Sequence, residues 1–120
     1  MLDVSDGVTL SSIVRLKTMS IGTPIGIPWY ESERDYLAVV AMLPAAEGQD
    51  AISYDAFRTK MMNAEQEKKR EGFVPVRVPI DAVTLKGWVE ANNLRVCRAS
   101  IGEFVMIGVA LILKGREQRN

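Results

Sequence analysis

Residues 73–80 read Phe73-Val74-Pro75-Val76-Arg77-Val78-Pro79-Ile80, the clearest strand signal in the chain and the one that decides its fold class. Val74, Val76, Val78 and Ile80 share one parity, while Phe73, Pro75, Arg77 and Pro79 share the other. That is the period of a β-strand and not of a helix. Proline carries no backbone N–H, and both prolines have the same parity, so both missing donors fall on one edge of the strand. Such an edge pairs poorly, which predicts a strand at the margin of any sheet.

The flanks read as helices. Upstream, Ser53 caps a helix running to about Glu71, with Tyr54, Phe57, Met61 and Ala64 as its apolar stripe and Gly72 as its stop. Glu65 and Lys69 in it are spaced for an i,i+4 pair. Downstream, Asp81 opens a third helix carrying Leu85, Trp88 and Val89, ended by Asn92-Asn93, where asparagine tolerates left-handed geometry. Ser100-x-x-Glu103 reads as a capping box that opens a fourth helix through Leu113, closed by Gly115. Lys114, Arg116 and Arg119 lie near its negative end. This last helix is apolar almost all round, which places it at the centre of the core or in a subunit interface. A buried strand over 104–112 is the alternative reading, since Phe, Val and Ile favour strands.

Toward the N-terminus, residues 21–30 (IGTPIGIPWY) hold two glycines and two prolines and read as an extended, bent connector. Ser32-x-x-Asp35 then caps a first helix bearing Tyr36, Leu37, Val40 and Leu43, stopped by Pro44. Residues 44–52 read as a loop. Residues 1–20 form an N-terminal arm or a short strand near 8–16, and 21–120 one globular domain. The expectation is an α+β fold: a small, helix-rich domain of about four helices with one or two short strands.

Gly26-Ile27-Pro28-Trp29-Tyr30, Asp35-Tyr36, Tyr54-x-x-Phe57, Val76-Arg77-Val78, Asp81 and Trp88 resemble the pattern of a small, uncharacterised bacterial protein family. The resemblance covers about residues 26–104 and implies a bacterial protein. The family has no assigned activity, so no residue acquires a role from it. The chain departs from the pattern in its N-terminal arm and its unusually apolar last helix.

Composition limits the chemistry. The chain has no histidine and one cysteine, Cys97. That removes the commonest general base and metal ligand, and every Ser-His or Cys-His nucleophile pair. No calcium loop and no glycine-rich phosphate loop are present; Asp50 and Asp55 flanking a turn read as solvated carboxylates. No catalytic, cofactor-binding or metal-binding residues are assigned, and no cofactor is expected. The apolar run Phe104–Leu113 is about half the length a membrane helix needs, no secretory signal is visible, and a single cysteine fits a reducing compartment. The protein therefore reads as soluble and cytoplasmic. Acidic and basic residues balance at 15 each, but residues 31–55 hold a local excess of acid and 56–120 the compensating excess of base. A net charge of zero does little to keep copies apart, so a homodimer or other self-association is expected.

Three candidates for function follow. Trp29, Tyr30, Arg34 and Tyr36, with Arg77, make up a candidate binding surface. Core packing is the simpler account of the aromatics; their recurrence as interface anchors is the functional one. Phe104, Ile107 and Leu111 are the candidate oligomer interface. Cys97, between Arg95 and Arg98 near a helix start, reads as a small packed side chain, with an activated thiol as the sharper reading. The expected function is a non-catalytic binding or assembly domain, with any small-molecule ligand unidentified. The alternative is a ribbon-helix-helix-like DNA-binding protein using residues 73–113, with Arg77 as reader. Nucleic acid is not the favoured partner, because zero net charge provides little of the attraction that dominates such affinity.

Overall fold

The computed structural model of the chain describes residues 22–119; the arm or strand expected over 1–20 lies outside them. The elements run β1 (Pro24–Trp29), α1 (Glu33–Met42), α2 (Ala45–Gln49), α3 (Tyr54–Arg70), β2 (Val74–Pro79), α4 (Ala82–Ala91) and α5 (Arg98–Arg119). The fold is a helix-rich α+β domain. Two segments differ from expectation. The connector at 21–30 contains a paired strand, and the loop at 44–52 contains the short helix α2. The stretch 104–112 is helical throughout.

The two strands form a parallel pair, with Pro24 opposite Val74 and Trp29 opposite Pro79. Val74 N–H donates to Thr23 C=O (2.9 Å) and Ile80 N–H to Trp29 C=O (2.8 Å). Hydrogen-bonding direction alternates along a strand, so even positions of β2 and odd positions of β1 point inward. Pro24, Pro28, Pro75 and Pro79 therefore all turn toward the two outer edges. The parity of FVPVRVPI predicts this for β2, and β1 repeats it. Each edge lacks two donors and resists strand addition. This pairing also departs from a ribbon-helix-helix arrangement, in which β2 would meet its counterpart from a second copy. Here its inner edge is filled by β1.

The faces of the sheet are covered by different helices. Ile27, Trp29 and Arg77 look toward α3, where Glu65 and Arg58 meet them. Gly26 and Val78 look toward α5. A methyl group at Gly26 would lie 2.8 Å from Val109 Cγ2 and closer still to Val105 Cγ1, and one at Gly108 would overlap Val78 Cγ1. Glycine at these two positions lets the helix seat directly on the strands. The core between these layers holds Val76, Val78, Ile80, Leu85, Val89, Val105 and Val109. On α1 the buried aliphatic residue is Val39, not Leu37, which is exposed.

Caps fix the helix ends. Ser32 Oγ accepts from Asp35 N–H at 3.2 Å and donates to its carboxylate. Asp35 also accepts the Ala82 N–H of α4 at 3.4 Å, tying the starts of two helices together. Ser53 and Asp81 cap α3 and α4 as the sequence predicts. Gly72 (φ 95°) and Asn93 (φ 57°) adopt the left-handed conformation that closes α3 and α4. In both, the next residue donates back five positions, Phe73 to Lys68 and Leu94 to Val89.

The start of α5 corrects the expected cap. Ser100 lies inside the helix and is buried. Its Oγ accepts from Cys97 N–H at 3.0 Å and donates to Arg95 C=O at 2.6 Å. Cys97 is thus the capping position, and Ser100 takes the part expected of Glu103. The free Arg98 N–H is taken by the Glu47 carboxylate of α2, 51 residues away, at 2.8 Å.

Candidate functional site

The structure divides the predicted aromatic surface into two groups. Trp29 is buried on the α3 side of the sheet. The Arg77 guanidinium lies 3.7 Å from its ring centroid, and that of Arg58 4.9 Å away. Arg77 in turn forks Glu65, with Nε 2.5 Å and Nη2 2.9 Å from the two carboxylate oxygens. Glu65 was expected to pair with Lys69; the fork from β2 engages it instead. The Arg77 bonds hold the Glu65 carboxyl below its ordinary range, against the opposing effect of burial. Arg77 is exposed, but its guanidinium is already engaged by Glu65 and by the Trp29 ring. Arg34 is exposed on α1, apart from this group.

Tyr30 and Tyr36 belong to a different place. With Phe57 they form a triangle of rings whose centroids lie 5.2–5.4 Å apart, and Tyr54 closes on Tyr36 at 5.8 Å. Such tilted and edge-on pairs add stability beyond area burial. Two phenols are anchored to backbone: Tyr36 Oη donates to Ile52 C=O at 2.6 Å, and Tyr54 Oη to Tyr30 C=O at 2.8 Å. The first bond holds the segment between α2 and α3 against α1, and the second ties the start of α3 to the link that follows β1.

The triangle forms the floor of a cleft of about 460 Å³, within the size range of small-molecule sites. Val39, Val40 and Leu43 of α1 supply one wall and Ile101 of α5 another. The rim is charged. Glu47, Asp50 and Arg98 cluster on one side, and Lys60 of α3 stands on it as well. Arg98 Nη2 is 4.0 Å from Asp50, an exposed and weak pairing. Burial, with a lesser effect of Tyr36, pushes the Tyr30 phenol up to about 12, and burial also raises Tyr36. Both rings stay protonated at neutral pH. Phe57, Lys60 and Glu47 were not singled out from sequence. Phe57 was visible as part of a helical stripe, whereas nothing local marks Glu47 or Lys60.

The predicted oligomer interface is likewise redistributed. Phe104 packs on the core and meets Trp88 edge-on at 5.6 Å. Ile107 and Leu111 are exposed, together with Met106. Cys97 is half-buried at the cap of α5. Its thiol is lowered first by the Ser100 amide and then by its contact with the Ser100 hydroxyl, while burial and Glu47 oppose the shift. Of the two influences the sequence offers, nearby arginines and a helix start, the lowering follows the helix start.

Among the described residues no group of three or more Cys, Asp or Glu side chains could hold a metal ion, and no helix is long and apolar enough to cross a membrane. Comparison with family models, curated proteins and solved structures returned no match.

Proposed function

We propose that this chain is a non-catalytic assembly domain that pairs with a second copy of itself through the outer face of α5. The observation carrying the proposal is the pattern on that face. Glu103, Ile107, Ala110 and Lys114 are all exposed and succeed one another at spacings of four, three and four residues, flanked by exposed Met106 and Leu111. This is the seam spacing of paired helices. The opposite side of α5, through Val105 and Val109, is already spent on the sheet.

The order of residues sets the direction of pairing. An antiparallel two-fold contact centred between Gly108 and Val109 places Glu103 opposite the partner's Lys114. It also sets Ile107 opposite the partner's Ala110 and Met106 opposite the partner's Leu111. A two-fold interface uses each contact twice, so both ends of the seam receive an opposite-charge pair. A parallel contact would set Glu103 against Glu103 and Lys114 against Lys114, like charges at both ends. Neither residue has an ion-pair partner among the described residues. The prolines on both edges of the sheet resist strand addition, and among the described residues Met106, Ile107 and Leu111 form a run of exposed apolar residues along one helix.

Light scattering coupled to size-exclusion chromatography tests this. The expected mass is that of a dimer at tens of micromolar protein. Leu111→Glu removes an apolar contact worth about 1.5–3 kcal/mol per side; counted twice, it weakens association by at least about 100-fold. Glu103→Lys weakens the dimer, and adding Lys114→Glu restores it. A wild-type monomer at ~100 µM overturns the proposal. A dimer indifferent to Leu111→Glu refutes this face.

A further inference from the structure

We infer that the cleft floored by Tyr30, Tyr36 and Phe57 is a binding site for an amphipathic monocarboxylate, its apolar body held by α1 and its carboxylate by Tyr30 and Lys60. The inference goes beyond self-assembly and uses a different surface. It starts from which polar groups of the lining are already occupied. The Tyr36 hydroxyl is spent on Ile52 C=O. One oxygen of the Glu47 carboxylate accepts the Arg98 N–H, and Asp50 faces the Arg98 guanidinium at 4.0 Å, so both acids gather with Arg98 on one side of the rim. Two groups remain without a partner among the described residues. One is the Tyr30 hydroxyl, whose side chain is only 5% exposed although its own backbone carbonyl is satisfied by Tyr54. The other is the Lys60 ammonium on α3.

Both open groups are hydrogen-bond donors, and one is a cation. A buried hydroxyl without an acceptor costs free energy that a ligand acceptor recovers. The complement is therefore an acceptor bearing negative charge. An amine placed beside these two donors would find no acceptor in them and would meet the like charge of Lys60. The phenol does not compete by ionising, because burial holds it protonated far above neutral pH. The remaining lining is apolar and aromatic (Val39, Val40, Leu43, Phe57), which requires a hydrophobic body. A volume of about 460 Å³ accommodates a phenylalkanoate or a medium-chain alkanoate. A phosphate or sulfate ion alone would leave that apolar wall uncovered.

The test is isothermal titration with 4-phenylbutyrate and decanoate, each beside its neutral amide and its amine analogue. Leu111→Glu protein serves as a second background, so that failure of assembly and failure of binding are separable. The expected result is that one or both acids bind, with the matching amide ~10-fold weaker and the amine weaker still. Tyr30→Phe keeps the ring and removes the donor, and weakens the acid by ~10-fold, about one hydrogen bond. Lys60→Gln, at an exposed position, weakens the acid severalfold and flattens its dependence on salt. Val40→Glu abolishes binding of both acid and amide. Absence of heat and of chemical-shift change in Tyr30 and Phe57 with either acid at ~5 mM overturns the inference. So do amide or amine binding as tightly as acid, and acid binding unchanged in both Tyr30→Phe and Lys60→Gln.

Discussion

Gly108→Ala sets two effects of known size against each other. In an open helix interior the change from glycine to alanine gains up to ~1 kcal/mol, because alanine loses less backbone freedom on folding. At Gly108 the added methyl would overlap Val78 Cγ1 and lie 3.4 Å from Val78 Cγ2. Val78 is itself buried, 3% exposed, so it cannot swing aside. Relief requires α5 to lift from the sheet or Val78 to leave its rotamer, an overpacking cost of about 1–3 kcal/mol. The net expectation is a loss of up to about 2 kcal/mol, or up to roughly 8 °C in Tm for a domain of this size, and a deficit of about 1–3 kcal/mol relative to an open glycine on the same helix. Gly102, on the same helix, is the control: a methyl there meets nothing within 4 Å, so Gly102→Ala keeps the propensity gain. Urea unfolding followed by tryptophan fluorescence and far-UV circular dichroism reads the midpoints, with m-values checked for constancy. In the double variant Val78→Ala/Gly108→Ala the methyl has room, and its loss should fall short of the sum of the single losses by ~1 kcal/mol or more. A Gly108→Ala protein as stable as Gly102→Ala would refute close seating of α5 on the strands.

Other outcomes follow from the titratable groups. The Arg77 fork holds Glu65 below its ordinary value of 4.5, so its contribution is complete above about pH 4.5 and disappears as pH falls through the lowered folded value. Glu65→Gln should flatten this part of the acid unfolding profile; an unchanged profile would show the fork to be energetically idle. Tyr30 moves the other way, raised from 10.0 to about 12 by burial first and Tyr36 second, so its contribution is complete below pH 10 and lost as pH rises through about 12. Alkaline unfolding of Tyr30→Phe should start later than in the wild type once stability near pH 8 is matched. Alkylation of Cys97 in the folded protein should titrate below a free thiol's range, because the Ser100 amide and hydroxyl favour the thiolate. Ser100→Ala should move that midpoint partway upward, since the amide at position 100 stays, and a midpoint that does not move would assign the lowering to the backbone amides alone.

Local sequence determined the elements that local physics controls. The alternation in FVPVRVPI specified β2 and the side on which its donors are missing, because strand parity and the absent proline N–H need no partner to be read. Ser32, Ser53 and Asp81 marked helix starts, and Gly72 and Asn93 marked stops, because capping bonds reach only a few residues. Tertiary structure decided what depends on distant groups. The Pro24–Trp29 segment becomes a strand only because β2 accepts it as a parallel neighbour. The helix α5 starts three residues before the predicted position, with an exposed Arg98 N–H that Glu47, 51 positions earlier, accepts. Trp29 and Arg77 part from Tyr30 and Tyr36 because successive side chains point opposite ways, and different residues of α3 meet each group, Arg58 and Glu65 the first and Phe57 the second. An all-round apolar helix has no preferred side in one dimension. Gly26 and Gly108 give α5 its inner side, leaving Ile107 and Leu111 as the outer one.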